Sequence, residues 1–395
     1  MAGSISKEFK LVTLNAGISR LGTSAFDLVI LWVVLQVTRS PVLSGLGEGI
    51  LALPLFFSFF LGAIIDKSSH KKGMAIAAAV LRSAVLIVLL IVDVIGSKVA
   101  IVIAIYGAAF VIGLTSDLLN SVRASWTKQF LDEELYKAGS SMSNAVTSFF
   151  DAAGYAASGL LLTLGYANTF LALFVVFLAA IPPLMLIKER GTIVQKSSSF
   201  SSVREGMSFI AGNRPVVEAM VIAVIINLLF GMTGVMFTAL VQISFKLPAY
   251  YMSALIVCIM GGAAVGSMLG ARVKGKLGHI SGASMLVAGL SVVGMAASRS
   301  IYLDFVPSLV VGICIGVLNA ALMTAFLKIV PYDMMARVQG AFNTFALAVT
   351  FVSGAIGGAF ITLLTVKWAI VLIGVLAAAS APLWVSFKEL GGLTV

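Results

Sequence analysis

The amino-acid sequence predicts an all-α, multi-pass membrane protein whose twelve transmembrane helices form two pseudo-symmetric six-helix bundles. The first supporting observation is composition, because 60% of the 395 residues are hydrophobic and only 11% are charged. A soluble domain carries about 25% charged residues, so this chain has too few charges to cover a water-exposed surface. The second is a series of apolar runs, and the third is one long polar break near the middle of the chain.

The apolar runs have the length that a membrane crossing requires. A helix needs about 20 apolar residues to cross about 30 Å of hydrocarbon. Six runs fall at 11–37, 43–65, 74–95, 99–120, 141–164 and 167–187. Six more fall at 215–244, 250–271, 280–298, 301–327, 336–364 and 367–387. No small-residue cleavage site follows the first run, so we expect it to be retained as a helix.

The polar break predicts three parts of the chain. They are an N-terminal six-helix bundle at 1–187, a linker at 188–214 and a C-terminal six-helix bundle at 215–395. Within the linker, Val203, Met207 and Ile210 recur at helical spacing, which predicts a short amphipathic helix at the membrane surface. A weak internal repeat pairs Gly62 with Gly266, Lys72 with Lys276, Asn144 with Asn343 and Gly159 with Gly358. The repeat favours a duplicated half with a substrate site between the two halves.

The basic residues predict the orientation of the chain. With the N-terminus in the cytoplasm, 19 of the 26 Lys and Arg residues fall in cytoplasmic segments and 5 in external loops. Only Arg20 and Arg82 fall within spans. This asymmetry is the positive-inside pattern. It also explains the net charge of +10 without a nucleic-acid surface. We therefore expect a protein of the inner (cytoplasmic) membrane with both termini in the cytoplasm.

The loop after the second apolar run carries the most specific motif. It reads Gly62-Ala-Ile-Ile-Asp66-Lys67-Ser-Ser-His70-Lys71-Lys72, a glycine, an acid four residues on and then a basic cluster. In spacing and position it resembles the signature loop of the major facilitator superfamily, which implies a transporter. A glycine allows close approach of a neighbouring helix, and an acid at a helix end can accept hydrogen bonds from a facing helix N-terminus. The resemblance implies a latch that opens and closes during transport, with Arg82 and Arg123 as further members of this gating group.

Other local sequences resemble the branch of the superfamily that contains macrolide-efflux proteins and enterobactin exporters. They are Ser19-Arg-Leu-Gly22, Trp32 to Ser40, Leu53-Pro54, Arg82, Arg204-Glu-Gly-Met, Pro331 and Ala336-Arg337-Val338. The fifth helix carries Gly154-Tyr155-Ala-Ala-Ser158-Gly159, where proton-coupled drug antiporters usually have a Gly-Pro pair. Small residues for close packing are kept, but the proline is absent.

Acids inside the spans are the candidates for coupling to protons. A charge in the bilayer costs several kcal/mol unless it is paired or hydrated, so each one needs a partner or a function. Asp27 lies near the centre of the first helix and is our main candidate, followed by Asp151 in the fifth helix and Asp117 in the fourth. Arg20 lies on the same helix face as Asp27 but about 10 Å away along the axis. Each acid has the alternative of a purely structural, hydrogen-bonded role.

The second half offers neutral polar and soft apolar side chains instead. Together with Arg20, the predicted substrate cavity contains Asn227, Met232, Met236 and Asn319. Amides orient ligands but also join helices through hydrogen bonds, and methionines line adaptable pockets but also fill cores. Both interpretations stay open for these residues.

These features predict a secondary transporter, most simply a proton-coupled exporter of amphipathic small organic molecules. A lipid or lysophospholipid translocase and a solute-uptake symporter on the same fold are the alternatives. The sequence has two histidines and no nucleophile, metal-binding or phosphate-loop motif, so we expect neither an enzyme nor a cofactor nor a metal. The expected partners are a small-molecule substrate, protons and the lipid bilayer, with the protein as a monomer and no nucleic acid.

The basic-residue asymmetry is testable by cysteine labelling. In a background in which Cys258 and Cys314 are replaced by alanine, Ser97→Cys and Ser198→Cys should react with a membrane-impermeant maleimide from opposite sides. Ser97 should be labelled from outside intact cells and Ser198 only after permeabilisation, because charge places their loops on opposite faces. Labelling of both from outside would show that the helix count is wrong.

Overall fold

The computed structural model describes residues 5–54, 70–189, 208–331, 335–387, 389 and 391–394, without the side chains of 133, 335–337 and 339–348. Within these residues the protein is built from α-helices, with no β-strand. Among the described residues, ten helices are long and apolar enough to cross a membrane. Two shorter apolar stretches lie in the second and eleventh predicted runs: Pro41–Ala52, and the Val349–Leu364 part of the helix Met335–Leu364. The all-α fold with twelve predicted transmembrane helices is therefore confirmed.

The helices of the first half follow the predicted runs closely. They are α1 (Lys7–Thr38), α2 (Pro41–Ala52), α3 (Lys71–Ile95), α4 (Lys98–Phe130), α5 (Tyr136–Thr163) and α6 (Tyr166–Leu186). The turn between α3 and α4 is short because Gly96 has the left-handed conformation, with φ of 72°, and Ser97 caps α4 by accepting a hydrogen bond from the Ala100 N–H. A turn at Ala180 before Pro182 and Pro183 interrupts α6.

The second half contains α7 (Arg214–Phe245), α8 (Ala249–Gly270), α9 (Leu277–Ala297), α10 (Ile301–Ile329), α11 (Met335–Leu364) and α12 (Val366–Ser386). Within α7, the regular helix Arg214–Phe230 stops at Gly231 and resumes at Thr233–Ala239. Its last residues, Leu240–Phe245, form a π-helix. Such interruptions free backbone groups within a span, a feature of transporter helices.

One difference from the sequence prediction concerns a helix end. α4 continues to Phe130, ten residues beyond the predicted run, because its last turns bury Trp126 and Phe130 against protein. The linker residues 200–207, including Val203 and Met207, lie outside the described residues, but 208–212 are helical. Ile210 packs there in a buried cluster with Val216 and Phe326.

The helices form two compact units. Unit 1 comprises Met1–Thr38 and Ile50–Ser198, and unit 2 comprises Arg39–Gly49 and Ser199–Val395. The start of α2 thus groups with the second half of the sequence, because its backbone touches that of α11 at Gly45 and Gly354. The same neighbours recur in both units: α1 packs on α5 as α7 does on α11, and α3 packs on α4 and α6 as α9 does on α10 and α12.

The closest helix pair in unit 2 is joined through glycines. Gly262 and Gly266 on α8 lie against the backbone of α10, and Gly312 and Gly316 on α10 lie against the backbone of α8. A side chain at these positions would meet a carbonyl oxygen of the other helix. Because lipid supplies no hydrophobic driving force between helices, such close van der Waals packing is what holds them together.

Neighbouring glycines on α8 provide a matched test of this packing. Gly262→Ala places a methyl group against the Leu309 carbonyl, whereas Gly261→Ala meets nothing within 4 Å. Both substitutions raise the intrinsic helix propensity by the same amount, so the two variants differ only in the steric clash with α10. We expect Gly262→Ala to lower the free energy of unfolding by about 1–3 kcal/mol, visible as a lower melting temperature in detergent, and Gly261→Ala to leave it unchanged or slightly raised. Equal melting temperatures would contradict the described α8–α10 packing.

Candidate functional site

The candidate site in unit 1 depends on the close approach of α1 and α5. Gly154 lies directly against the Leu21 carbonyl, and Gly17 lies against the ring of Phe150. The small residues of Gly154-Tyr155-Ala-Ala-Ser158-Gly159 therefore bring the two backbones together. Polar side chains that face this seam meet the opposite helix, and those cut off from water need partners there.

The first such pair is Arg20 with Asp151. Arg20 Nε lies 2.9 Å from Asp151 Oδ1, and the same guanidinium donates from its Nη2 to Oδ2 at 3.1 Å. Ser24 Oγ also contacts the Asp151 carboxylate. The Arg20 side chain is 49% exposed and that of Asp151 is 17% exposed. This bidentate geometry is the strong form of an Arg–carboxylate pair, so Asp151 already has a fixed counter-ion.

The second pair joins Asp27 to Tyr155. The Tyr155 hydroxyl donates to Asp27 Oδ2 at 2.7 Å. The other oxygen, Oδ1, is buried and has no hydrogen-bond partner within the described part of the chain. Asp151 and Tyr155 are four residues apart on α5, one helical turn. The seam therefore carries two successive cross-links, and only the one at Asp151 is ionic.

Arg123, on α4, organises a second polar cluster in unit 1. Its guanidinium donates to Asn15 Oδ1 at 2.7 and 3.0 Å and to Ser19 Oγ at 2.8 Å. Asn15 is fully buried and donates in turn to the Ala180 carbonyl at 2.7 Å, where α6 turns. Arg123 therefore ties α4 to α1 and, through Asn15, to α6. No carboxylate takes part in the hydrogen bonds described for it.

Arg82 and Asp117 lie on the facing helices α3 and α4. Arg82 is 2% exposed and donates to Thr115 Oγ1 at 2.7 Å and to the Ile112 carbonyl at 3.2 Å, with Ser116 Oγ in contact. Its guanidinium also lies 5.5 Å from the ring centroid of Phe177, within cation–π range. Asp117 is 7% exposed, and its Oδ2 has no hydrogen-bond partner among the described residues.

The described part of the gating motif lies at the start of α3. Lys71 donates to Ser125 at 2.5 Å, while the Lys72 side chain donates to the Met185 and Ile187 carbonyls at 2.7 and 2.8 Å. Glu189 accepts from the Lys72 N–H at 2.8 Å and from the Trp126 indole at 3.1 Å. A cation thus meets a helix C-terminus and an anion meets a helix N-terminus. The motif residues Gly62, Asp66 and Lys67 lie outside the described residues.

Unit 2 contains a cavity of about 190 Å³ between α7 and α10. Two predicted cavity residues, Asn227 and Asn319, line it together. Two further predicted cavity residues, Met232 and Met236, are buried, each 2% exposed. Met236 borders a separate, much smaller void. Arg20, also predicted for the cavity, belongs to the α1–α5 seam. Residues lining the larger cavity are Ala219, Ala223, Ile226, Asn227, Asn319, Leu322, Met323 and Phe326.

Some buried or cluster-forming polar residues were not among the sequence candidates. Asp304, near the start of α10, is fully buried, and it was overlooked because it stands at the edge of an apolar run. Tyr155 was visible only as part of the small-residue segment, although its position one turn after Asp151 is a usable signal. Asn15 and Glu189 carry no sequence signal, because their partners come from helices distant in the chain.

The comparisons with known proteins decide the family. Residues 12–354 match the family model of the Major Facilitator Superfamily. The chain belongs to the Major Facilitator Superfamily. Moving a small molecule across a membrane is therefore its function, as the signature loop implied. No curated protein matches the sequence significantly.

Solved structures of this superfamily share the fold at low sequence identity. A mutant of the nucleoside transporter NupG matches with a TM-score of 0.77 and 12% identity over 97% of this chain and 100% of its own. A bacterial homolog of the human lysosomal transporter Spinster gives 0.75 and 11% over 98% of both chains. A POT family transporter gives 0.73 and 13% over 96% of both chains. At such identities the likeness concerns the fold.

A double-mutant cycle tests the ionic link of the α1–α5 seam. Arg20→Gln, Asp151→Asn and the double variant should show a coupling of about 1 kcal/mol in the free energy of unfolding, a value held down by the exposure of Arg20. The matched control is Arg214 with Glu218, whose atoms are 3.6 Å apart on one helix with Arg214 73% exposed. There we expect about 0.3 kcal/mol. Additive effects at Arg20 and Asp151 would contradict a direct pair.

Proposed function

We propose that this protein is a secondary active transporter of the inner membrane that exports amphipathic small organic molecules in exchange for protons. Membership of the superfamily supports transport itself, and the motifs shared with macrolide-efflux and enterobactin exporters favour export. Alternating access, with both termini in the cytoplasm, is the mechanism we infer. The single observation that carries the coupling proposal is that Arg20 forms an ion pair with Asp151, whereas Asp27 is hydrogen-bonded to the Tyr155 hydroxyl.

Arg20 is committed to Asp151 through both carboxylate oxygens. Asp27, one turn further along the seam, has only a hydroxyl donor on Oδ2 and a buried, unpartnered Oδ1 among the described residues. The charged form of an acid in such surroundings is disfavoured by burial and favoured by water or a nearby cation. An acid whose surroundings change between two conformations therefore takes up and releases a proton. Asp27 is better suited to this role than Asp151.

Asp117 is a further proton candidate after Asp27 and Asp151, since it is buried without a described ionic partner. The basic residues of unit 1 have a supporting role. Arg82, Arg123, Lys71 and Lys72 hold α3, α4, α6 and α1 together through hydroxyls, an amide and carbonyls. We infer that they keep the unit rigid while Asp66 acts as the latch in the signature loop.

Transport in proteoliposomes tests both the direction and the coupling. Labelled drugs, siderophores and lysolipids are offered to vesicles whose lumen is either more acidic or more alkaline than the medium. Exchange with protons predicts accumulation in the acidic lumen. Accumulation in the alkaline lumen would instead favour the uptake symporter. Movement of lysolipids without any dependence on the gradient would favour a lipid translocase.

Asp27→Asn should abolish gradient-driven accumulation and leave downhill exchange of labelled substrate, because the amide keeps the volume but cannot carry the proton. Tyr155→Phe retains the acid and removes its hydrogen bond, so it should shift the pH at which accumulation is half-maximal. Asp93→Asn, near the end of α3 and outside this seam, is the control and should accumulate substrate like the wild type. If Asp27→Asn still concentrates substrate, the proton is carried elsewhere, with Asp151 to be tested next.

A further inference from the structure

We propose that the cavity between α7 and α10 binds the substrate through an uncharged group that both donates and accepts hydrogen bonds, attached to an apolar body. This inference rests on the proposed transport function and specifies its substrate class. The two amides of Asn227 and Asn319 are its polar contacts, and Asn319 is the residue that selects the ligand. The argument draws on the charge, hydrogen-bonding capacity and shape of the cavity.

Charge is the first constraint. None of the described residues that line this cavity carries a charged side chain. The cavity lies between two helices that are apolar enough to span the membrane. An ion placed there has no counter-ion among these lining residues, and a charge within a span costs several kcal/mol unless it is paired or hydrated. A carboxylate or an ammonium group is therefore excluded in favour of a neutral group of the same size.

Hydrogen-bonding capacity is the second constraint. Asn227 uses one N–H on the Ala223 carbonyl at 2.8 Å, which leaves a second N–H and its carbonyl oxygen available. Asn319 is exposed into the cavity and makes no hydrogen bond within the described part of the chain. Two such amides offer both donors and acceptors, as a ligand amide, lactam or hydroxyl requires. A plain hydrocarbon would leave them unpaired and be rejected.

Shape is the third constraint. Val216 and Phe326 belong to one buried cluster with Ile210 and Val338, which fixes the Phe326 ring as the wall at one end of the cavity. Asn227 and Asn319 lie about three and two helical turns from that cluster along their helices, so the polar end is opposite the aromatic one. Met323, which is 51% exposed, supplies an adaptable side. A dry cavity of about 150 Å³ holds benzene, so about 190 Å³ accommodates one ring with one small polar group.

Three probes of matched size test the proposal: benzamide, benzoate and benzylammonium. The full-length protein is placed in nanodiscs, and binding is measured by saturation-transfer difference NMR, with empty nanodiscs as the blank for partition into lipid. We expect benzamide to bind at least about tenfold more tightly than either ion. Asn319→Leu should weaken benzamide binding about tenfold, the effect expected for the loss of one hydrogen bond. Asn319→Asp should reverse the order and favour benzylammonium.

Asn168→Leu is the matched control, because Asn168 is an exposed asparagine in unit 1 whose amide donates to the Leu164 carbonyl, between α5 and α6. It should bind benzamide like the wild type. Equal binding of the three probes, no binding of any, or benzamide binding that survives Asn319→Leu would each overturn the proposal. The transport assay is independent: benzamide binding with failed accumulation rejects the coupling proposal, and gradient-driven accumulation without benzamide binding rejects this cavity.

Discussion

The contact between α1 and α5 is the constraint on which the chemistry of unit 1 depends. Gly17 and Gly154 allow the two helices to approach until side chains meet backbone. At that distance the polar atoms that are cut off from water must pair with groups on the other helix. One arginine and two acids share the seam, so one acid obtains an ion pair and the other a hydroxyl. The difference between Asp151 and Asp27 follows from this shortage of positive charge.

In the two units, the N–H groups at the start of corresponding helices, α3 and α9, donate to different kinds of acceptor. At the start of α3, the Lys72 N–H donates to the Glu189 side chain, which follows α6. At the start of α9, the Leu277 and Gly278 N–H groups instead meet the Leu393 and Gly391 carbonyls, which follow α12, at 2.8 and 3.1 Å. In each unit, the segment that follows the last helix supplies the acceptor for these N–H groups. The backbone requirement is therefore repeated, whereas the side chain that fulfils it is not.

The twelve helices were predictable because lipid demands long apolar runs and puts charges at their ends. The pairing of particular residues was not. Spacing placed Arg20 and Asp27 on one face of α1, about 10 Å apart, but it could not show that α5 brings Asp151 to Arg20. The extension of α4 to Phe130 was hidden because its last turns are polar in sequence and buried only by other helices. Asn227 and Asn319 were identified individually, but their meeting in one cavity depends on the crossing of α7 and α10.

The proposed uncharged ligand of unit 2 limits how a proton at the proposed site in unit 1, Asp27, can drive its movement. A neutral molecule does not compete with a proton for a carboxylate, so direct displacement by charge is excluded as the coupling step. Coupling then requires two conformations, of which the proton and the ligand favour different ones. By linkage, the ligand must change the proton affinity of Asp27 by the same factor by which the proton changes the ligand affinity. The interrupted helix α7, which carries Asn227 just before its break at Gly231, is the element of unit 2 best suited to having two arrangements.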